Sequence, residues 1–398
     1  MAVTLTSCHL GFEASPHFVA ADLDGDGETE LVFLDCAGQS LVCVHPDGQA
    51  EWSTYLGHVA PQEHACHLCC CGASDEGGPT LAFAAGSTVY VASAITGQTA
   101  AVREFSSQVV ALRVGRAGER TVVWVTLENG DLDLLDENLE GIWSMPFAGR
   151  HNDRSLHLGD LDGDGNDEAV FSFSDRGRLL VVNSEGHILW EAPVPGGDSH
   201  IEDALIADID GDGEAELVVP ERCTCFAADG SVKWEVPPSE GLAHGQQVYA
   251  ARLRQDLRGR QVLVCDYWTE TPNLMLLGSE GKVLWRRLFD RQFCLCGCVD
   301  WLGTGPMICA AEQLPKPAKP PYLGWVMDAD AVEVDRFEFA DEPSGSLRFQ
   351  GCVGCAAARA VDVNGDGREE LVVLGFSGAF HVLGGSAPAE DPAPQASP

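Results

Sequence analysis

The stretch Asp22-Leu-Asp-Gly-Asp-Gly-Glu-Thr-Glu30 carries the pattern that decides how this chain folds. The same pattern, D-x-[DN]-G-D-G-x-x-E, returns at 160–168, 208–216 and 362–370. Each copy has a short apolar stretch before it and another after it. A segment that recurs together with its flanking strands indicates a repeat architecture, in which one small unit is stacked many times. The spacing of the copies therefore predicts the fold.

Weaker repeats, which keep the strands but lose the acidic loop, lie between the clear copies. They are centred near Cys69, Arg113, Arg252 and Asp300. Together the eight repeats follow one another at about 44 to 48 residues, and only the last interval is longer. A unit of this length with four short strands is typical of one blade of a β-propeller. No sustained period of 3.6 residues predicts helices, so the fold is predicted to be all-β.

The last repeat contains only three predicted strands, at 357–361, 371–374 and 379–383. The apolar segment Ala2–Ser7 precedes the first complete repeat and could supply the missing outer strand. Pairing the two ends of the chain would leave no open sheet edge. We therefore predict an eight-bladed β-propeller of four-stranded blades, whose ring is closed by the N-terminal strand pairing in the last blade. Residues 1–384 form this single domain, and 385–398 are a disordered Pro/Ala-rich tail.

The acidic loops have the chemistry of a cation site. Oxygen atoms at positions 1, 3, 5, 7 and 9 of the pattern can surround one hard cation, and Ca²⁺ takes 6–8 oxygen ligands. Glycines at positions 4 and 6 allow the sharp turn that lets alternate side chains converge. Without a cation, three or four carboxylates so close together would repel one another. An EF-hand is excluded because its loop needs Glu at position 12, where Phe33, Phe171, Val219 and Val373 stand here.

These repeats resemble the FG-GAP/VCBS-type calcium loops of integrin-α-like β-propellers. The resemblance implies up to four bound Ca²⁺ ions, each held by the side chains at positions 1, 3, 5 and 9 and by the backbone carbonyl at position 7. The implied ligands are Asp22, Asp24, Asp26, Glu28 and Glu30; Asp160, Asp162, Asp164, Asn166 and Glu168; Asp208, Asp210, Asp212, Glu214 and Glu216; and Asp362, Asn364, Asp366, Arg368 and Glu370. The carbonyl donors among these are Glu28, Asn166, Glu214 and Arg368.

Composition limits the partners. The chain has 24 Lys+Arg against 61 Asp+Glu, a formal net charge of −37, so nucleic acid and anionic membrane surfaces are expected to repel it. No apolar run is long enough to insert into a membrane. Since no secretory signal is visible, the protein is expected to be cytoplasmic. Its 16 cysteines are accordingly expected to be reduced thiols.

Three functional interpretations remain open. The first is a non-catalytic, calcium-binding propeller that acts as a protein-interaction scaffold, with the Pro/Lys-rich loop Leu314–Tyr322 as a contact. The second is a carbohydrate-active protein, similar to a polysaccharide lyase, or a sugar-binding protein. It would use histidines at the channel rim, namely His64, His157, His200 and His244. The third is a transition-metal centre in the channel built from Cys and His. No P-loop, dinucleotide fingerprint or G-x-S-x-G nucleophile motif is present.

A tryptophan near the end of many repeats has a structural interpretation. It follows a glycine in the pattern G-x-x-x-W at Trp52, Trp190, Trp234 and Trp285, and Gly141-Ile-Trp143 is a shorter version. Large aromatic side chains at a repeated position are expected to pack between neighbouring blades.

Overall fold

In the computed structural model, every described strand pairs antiparallel with its neighbours in a four-stranded sheet. The structure describes residues 3–12, 14–35, 40–57, 66–74, 78–147, 149, 156–173, 175–242, 244–267, 269–301, 305–312, 322–339, 358–374 and 379–385. Helical geometry in these ranges is confined to three short 3₁₀ turns, at Pro195–Gly197, Glu221–Cys223 and Pro238–Glu240. None of the helices found there could cross a membrane, because each lacks the necessary length and hydrophobicity.

The chain begins with β1 (Val3–His9), and the first four blades follow. Blade 1 comprises β2 (Ala14–Ala21), β3 (Glu30–Asp35), β4 (Ser40–Val44) and β5 (Ala50–Tyr55). Blade 2 comprises β6 (Cys66–Ser74), β7 (Gly78–Ala85), β8 (Thr88–Ser93) and β9 (Thr99–Glu104). Blade 3 comprises β10 (Val109–Ala117), β11 (Arg120–Leu127), β12 (Asp131–Asp136) and β13 (Gly141–Pro146). Blade 4 comprises β14 (His157–Gly159), β15 (Glu168–Phe173), β16 (Arg178–Val182) and β17 (Ile188–Pro193).

The remaining blades complete the circle. Blade 5 comprises β18 (Leu205–Ala207), β19 (Glu216–Val219), β20 (Thr224–Phe226) and β21 (Val232–Glu235). Blade 6 comprises β22 (Gln247–Ala251), β23 (Gln261–Asp266), β24 (Asn273–Leu277) and β25 (Val283–Leu288). Blade 7 comprises β26 (Phe293–Val299), β27 (Met307–Glu312), β28 (Tyr322–Met327) and β29 (Glu333–Phe339). Blade 8 combines β30 (Ala358–Val361), β31 (Glu370–Leu374) and β32 (Ala379–Gly385) with β1.

The first and last described strands close the ring, as the sequence predicts. Strand β1 pairs antiparallel with β32, from Val3 opposite Gly385 to His9 opposite Ala379. The first strands of neighbouring blades contact one another in a continuous cycle that leads from blade 1 through blade 8 back to blade 1. The prediction of an all-β, eight-bladed propeller is therefore confirmed. Of the predicted tail, Gly385 belongs to β32, and 386–398 lie outside the described residues.

The hydrophobic core is divided among the interfaces between blades. The two middle strands of each blade are largely buried, and their side chains alternate between the two neighbouring interfaces. Eight clusters of buried residues result, one at each junction of adjacent blades. At the closing junction, Phe33 of blade 1 stacks on Phe18 of the same blade, with the ring centroids 5.5 Å apart. It also stacks on Phe380 of blade 8, with the centroids 5.7 Å apart. Burial of apolar surface thus stabilises the interface between blades 8 and 1 in the same way as the other interfaces between blades.

Four of the repeated tryptophans connect blades 3, 4, 5 and 6 to the blade that follows. The indole N–H of Trp190 in blade 4 donates to the carbonyl of Ala228 in blade 5 at 2.8 Å. The corresponding bonds from Trp143, Trp234 and Trp285 measure 2.8, 2.9 and 2.8 Å. The predicted position of these side chains between blades is confirmed. Gly230 of blade 5 accommodates the Trp190 ring, because a Cβ atom there would lie 2.7 Å from it.

Replacing Gly230 by alanine is expected to lower the free energy of unfolding by about 2–4 kcal/mol. The residue has a φ of +82°, which costs an L-residue about 1–2 kcal/mol, and the new methyl group would also displace Trp190. Gly118 is a matched control: its φ is +64°, but its Cβ direction is open. Denaturant unfolding should show a clearly smaller loss for Gly118→Ala. Equal losses would mean that the indole contact contributes nothing.

Candidate metal sites

All four acidic loops lie on the same face of the propeller. Each one joins the first strand of its blade to the second, in blades 1, 4, 5 and 8. In an antiparallel meander these turns and those between the third and fourth strands lie at one end of the blade. The links to the next blade lie at the other end. We call the face with the acidic loops the loop face, and the opposite one the entry face.

Within each loop the backbone is folded around its own carboxylates. In blade 4, Asp160 accepts hydrogen bonds from Gly163 N–H at 2.8 Å and Gly165 N–H at 3.0 Å. Asp162 accepts from the N–H of Asp164 at 3.1 Å, and Asp164 accepts from that of Asn166 at 2.8 Å. The loops of blades 1 and 5 repeat this pattern, and blade 8 keeps it except for the bond to its first glycine. Four copies of the sequence pattern thus form closely similar turns.

The carboxylates at positions 1, 3 and 9 converge in three of the loops. In blades 1, 4 and 5 one oxygen from each of these three residues lies within 4.8 Å of the others. Blade 8 has Asn364 at position 3, which contributes an amide oxygen in place of a charge. The predicted side-chain ligands at these positions are therefore brought together. The contribution of the position 7 carbonyls stays a prediction.

A buried glutamate closes the site in blades 1 and 4. Glu30 and Glu168 are 1% and 0% exposed, and the Oε2 atom of each accepts a backbone N–H, from Leu23 at 2.7 Å and Leu161 at 2.8 Å. The other oxygen, Oε1, is buried in both residues and has no hydrogen-bond partner among the described residues. Burial raises the pKa of Glu168 to about 7, and the charges of Asp162 and Asp164 add to this. An oxygen in this situation is strongly stabilised by a cation.

In blade 5 a lysine lies where a cation would be expected. The Nζ atom of Lys233 is 2.7 Å from Glu216 Oε1 and 2.8 Å from Asp210 Oδ2. A third carboxylate oxygen, on Asp212, lies 3.8 Å away. Hydrogen bonds to Asp210 and Glu216 raise the pKa of Lys233, and the bond to Lys233 is the main reason that the pKa of Asp210 is lowered. The ammonium group therefore offsets part of the negative charge of this loop from within the chain.

The residue type at the position of Lys233 differs between blades. This position directly precedes the repeated tryptophan, where blade 1 has Glu51 and blade 4 has Leu189. The charge of Glu51 adds to the burial that raises the pKa of Glu30. Sequence reasoning missed this position, although the register with the tryptophan would have identified it. The loops of blades 1 and 4 thus have no internal cation comparable to Lys233 among the described residues.

A second cluster, of histidines and a glutamate, lies on the entry face. Glu202 Oε1 is 3.0 Å from His200 Nε2 and 3.3 Å from His244 Nε2. The Nδ1 atom of His244 lies 3.1 Å from Asp198 Oδ2. The hydrogen bond to Glu202, with a further contribution from Asp198, raises the pKa of His244 to about 9. His200 and His244, two of the four predicted rim histidines, are thus brought together.

The other residues singled out by the sequence do not join this cluster. His157 faces Asp203, with Nδ1 and Oδ1 3.7 Å apart, and His64 lies outside the described residues. Where side chains are described, nine cysteines are free, and none belongs to a group of three or more candidate metal ligands. The Pro/Lys-rich loop also lies outside the described residues, apart from the start of β28.

The fold and these sites define the class as an eight-bladed β-propeller with acidic turn loops. Among solved structures, the chain is similar to BamB from Moraxella catarrhalis, with a TM-score of 0.61 and 12% identity over 98% of this chain and 100% of that chain. It is also similar to BBS1N crystallised in complex with ARL6DN, with a TM-score of 0.54 and 13% identity over 95% of this chain and 94% of that one. At such identities the likeness concerns the fold alone.

No protein-family model matches the sequence. No curated protein sequence is detectably similar to it either.

Proposed function

We propose that this chain is a non-catalytic, calcium-binding β-propeller that acts as a scaffold for protein partners. The observation that carries the calcium part is the buried, unpartnered Oε1 atom of Glu30 and of Glu168. Both glutamates belong to a cluster of three converging carboxylates. A carboxylate oxygen without a partner in a buried place is costly, and a bound cation removes that cost.

Calcium fits these loops better than other common ions. The donors are carboxylate oxygens, an amide in blade 8, and the predicted backbone carbonyls, with no imidazole or thiolate. Hard cations prefer such oxygen sets, and Ca²⁺ accepts more ligands and less regular geometry than Mg²⁺. In blade 4 the ion would be held by the side chains of Asp160, Asp162, Asp164 and Glu168. Once bound, it would neutralise the negative charge of these carboxylates.

The four loops are not equivalent in this proposal. Blades 1 and 4 are the strongest sites, because each has the buried glutamate and three converging carboxylates. Blade 8 keeps the aspartates Asp362 and Asp366, together with Asn364 and Glu370. Burial is the main reason that the pKa of Glu370 is raised. Blade 5 is the weakest, because an incoming ion must displace the ammonium group of Lys233.

Lys233→Met is expected to create calcium binding in blade 5. The substitution keeps an unbranched side chain but removes the positive charge, so Asp210 and Glu216 become free to hold an ion. The variant should bind one more calcium ion per chain than the wild type in equilibrium dialysis. Lys282→Met is the matched control, since Lys282 is exposed near the corresponding turn of blade 6, which has no acidic loop. If both variants bind as many ions as the wild type, Lys233 does not compete with calcium.

The scaffold part is supported by fold and charge. BBS1N, a propeller of similar fold, was crystallised in complex with ARL6DN, so a ring of this kind can present a surface to a protein. The formal net charge of −37 favours a partner with a basic surface. No complete set of catalytic residues was recognised in the sequence.

Affinity capture with the intact chain as bait tests the scaffold. A partner that is retained at low ionic strength, released by added salt and confirmed by binding of the two purified proteins would support it. A parallel panel of acidic polysaccharides tests the alternative of a lyase or sugar-binding protein. Cleavage or binding of a polysaccharide, without a protein partner, would contradict the scaffold proposal.

A further inference from the structure

The cluster on the entry face has the composition of a transition-metal site. We propose that His200, Glu202 and His244 bind a zinc-type ion, at a place separate from the calcium loops and independent of them. His200 and Glu202 lie in the link between blades 4 and 5, and His244 lies in the link between blades 5 and 6. The site would therefore connect three consecutive blades.

The spacing of the donor atoms fits tetrahedral coordination. With bonds of about 2.0–2.2 Å to nitrogen and oxygen, neighbouring ligand atoms around Zn²⁺ lie about 3.3 Å apart. The two measured separations, from Glu202 Oε1 to the Nε2 atoms of His200 and His244, are 3.0 and 3.3 Å. The three ligand atoms all lie within 4.8 Å of one another. An ion could therefore bind with only small side-chain movements.

Groups behind the histidines hold them in a ligating orientation. In each ring Nε2 faces Glu202, and Nδ1 has a different partner. His244 Nδ1 is 3.1 Å from Asp198 Oδ2, and His200 Nδ1 is 2.8 Å from Ser199 Oγ. A carboxylate or hydroxyl on the second nitrogen is the usual arrangement around metal-bound histidine, because it fixes the tautomer and the orientation of the ring.

A buried residue anchors the glutamate. Glu221, which is 0% exposed, accepts the backbone N–H of Glu202 at 2.7 Å. The Oε2 atom of Glu221 is buried and has no hydrogen-bond partner among the described residues. Glu202 itself is 8% exposed, whereas the side chains of His200 and His244 are 25% and 27% exposed. The cluster is thus buried on the side of Glu202 and Glu221 and partly exposed on the side of the two histidines.

This arrangement leaves one coordination position for solvent. In the tetrahedral geometry of Zn²⁺, three protein ligands leave a fourth position open, whereas structural zinc sites fill all four with protein ligands. Water, or an anionic group of a ligand in the channel, would occupy the open position. Imidazole donors favour Zn²⁺ and related ions over Ca²⁺, so the two faces of the ring would select different metals.

Cobalt binding to the metal-free, full-length chain tests the proposal. Co²⁺ is the probe because its visible absorption reports coordination number, and a thiolate ligand adds a separate charge-transfer band. We expect one Co²⁺ per chain bound without that band. His200→Gln and His244→Gln should each weaken this binding by at least tenfold. His187→Gln is the matched control, since His187 is an exposed histidine with Glu185 3.4 Å away but without a second histidine in a described cluster.

A fourth variant covers the case in which a ligand substitution disturbs folding. Asp198→Asn keeps all three ligands and is expected to lower cobalt affinity by about 10–100-fold, with a changed visible spectrum, if Asp198 positions His244. Thermal unfolding of each variant without metal provides the measure of folding. Cobalt bound equally well by the wild type and by folded ligand variants, or bound only with a thiolate band, would overturn the proposal.

Discussion

Deletion of residues 1–9 is expected to abolish the cooperative unfolding of this protein and to make it aggregate. Among the described strands, β1 is the only partner of the outer edge of β32, and the two strands pair over seven residues of β1. Its loss exposes a row of unpaired backbone groups, which is a template for association with other chains. Leu5 also packs against the cluster between blades 7 and 8, beside Leu383. We expect the loss to equal most of a typical domain stability of about 5–15 kcal/mol.

Size-exclusion chromatography and thermal unfolding would measure this effect. Deletion of 386–398, the part of the predicted tail beyond β32, is the control and should leave both properties unchanged. A synthetic peptide with the sequence of residues 1–9 should partly restore the monomer, because it can occupy the same edge. A truncated chain that stays monomeric and melts in one transition without the peptide would show that ring closure contributes little.

Removal of calcium is expected to have the second large effect. An ion that binds only the folded state stabilises it by about 2.7 kcal/mol at a concentration one hundred times its Kd. With the two strongest sites filled, in blades 1 and 4, EGTA should lower the free energy of unfolding by about 5 kcal/mol. The melting temperature should fall accordingly, and added calcium should restore it.

Two variants separate bound calcium from the stability of the turns. Asp162→Ala removes a predicted ligand of blade 4 and should reduce the calcium-dependent part of the melting temperature by about half. Asp136 accepts N–H bonds from Asn138 and Glu140 in a turn of blade 3, which has no acidic loop. Asp136→Ala should therefore leave the calcium-dependent part unchanged. If EGTA does not alter the melting temperature of the wild type, the calcium assignment is wrong.

Much of the fold was predictable because each blade carries local signals. The acidic nonapeptide fixes a turn between two strands, and the tryptophan marks the end of a repeat. Even the degenerate repeats kept their strands, as β10 around Arg113 and β22 before Arg252 show. Ring closure followed from the count of strands in the last repeat. These features depend on neighbours in the sequence and on a constant period.

The contents of the sites were less predictable, because they depend on residues far apart in the chain. Lys233 follows Glu216 by 17 residues, and a lysine on an outer strand normally points to solvent. His200 and His244 are separated by a whole blade, and their common partner Glu202 was not identified among the many acids. The identity of the outer-strand residue before each tryptophan also changes from blade to blade. Only the register of neighbouring strands shows which side chains meet.

The pairing of the first and last described strands within blade 8 has a practical consequence. Val3 and Gly385 lie opposite each other on the loop face, where other blades have the turn between their third and fourth strands. A short engineered turn could therefore join them, and new ends could be opened at another such turn, for example at Asp229–Gly230 of blade 5. This circular permutant would retain every strand pair of the ring while presenting its termini, and any fused label, beside a different blade.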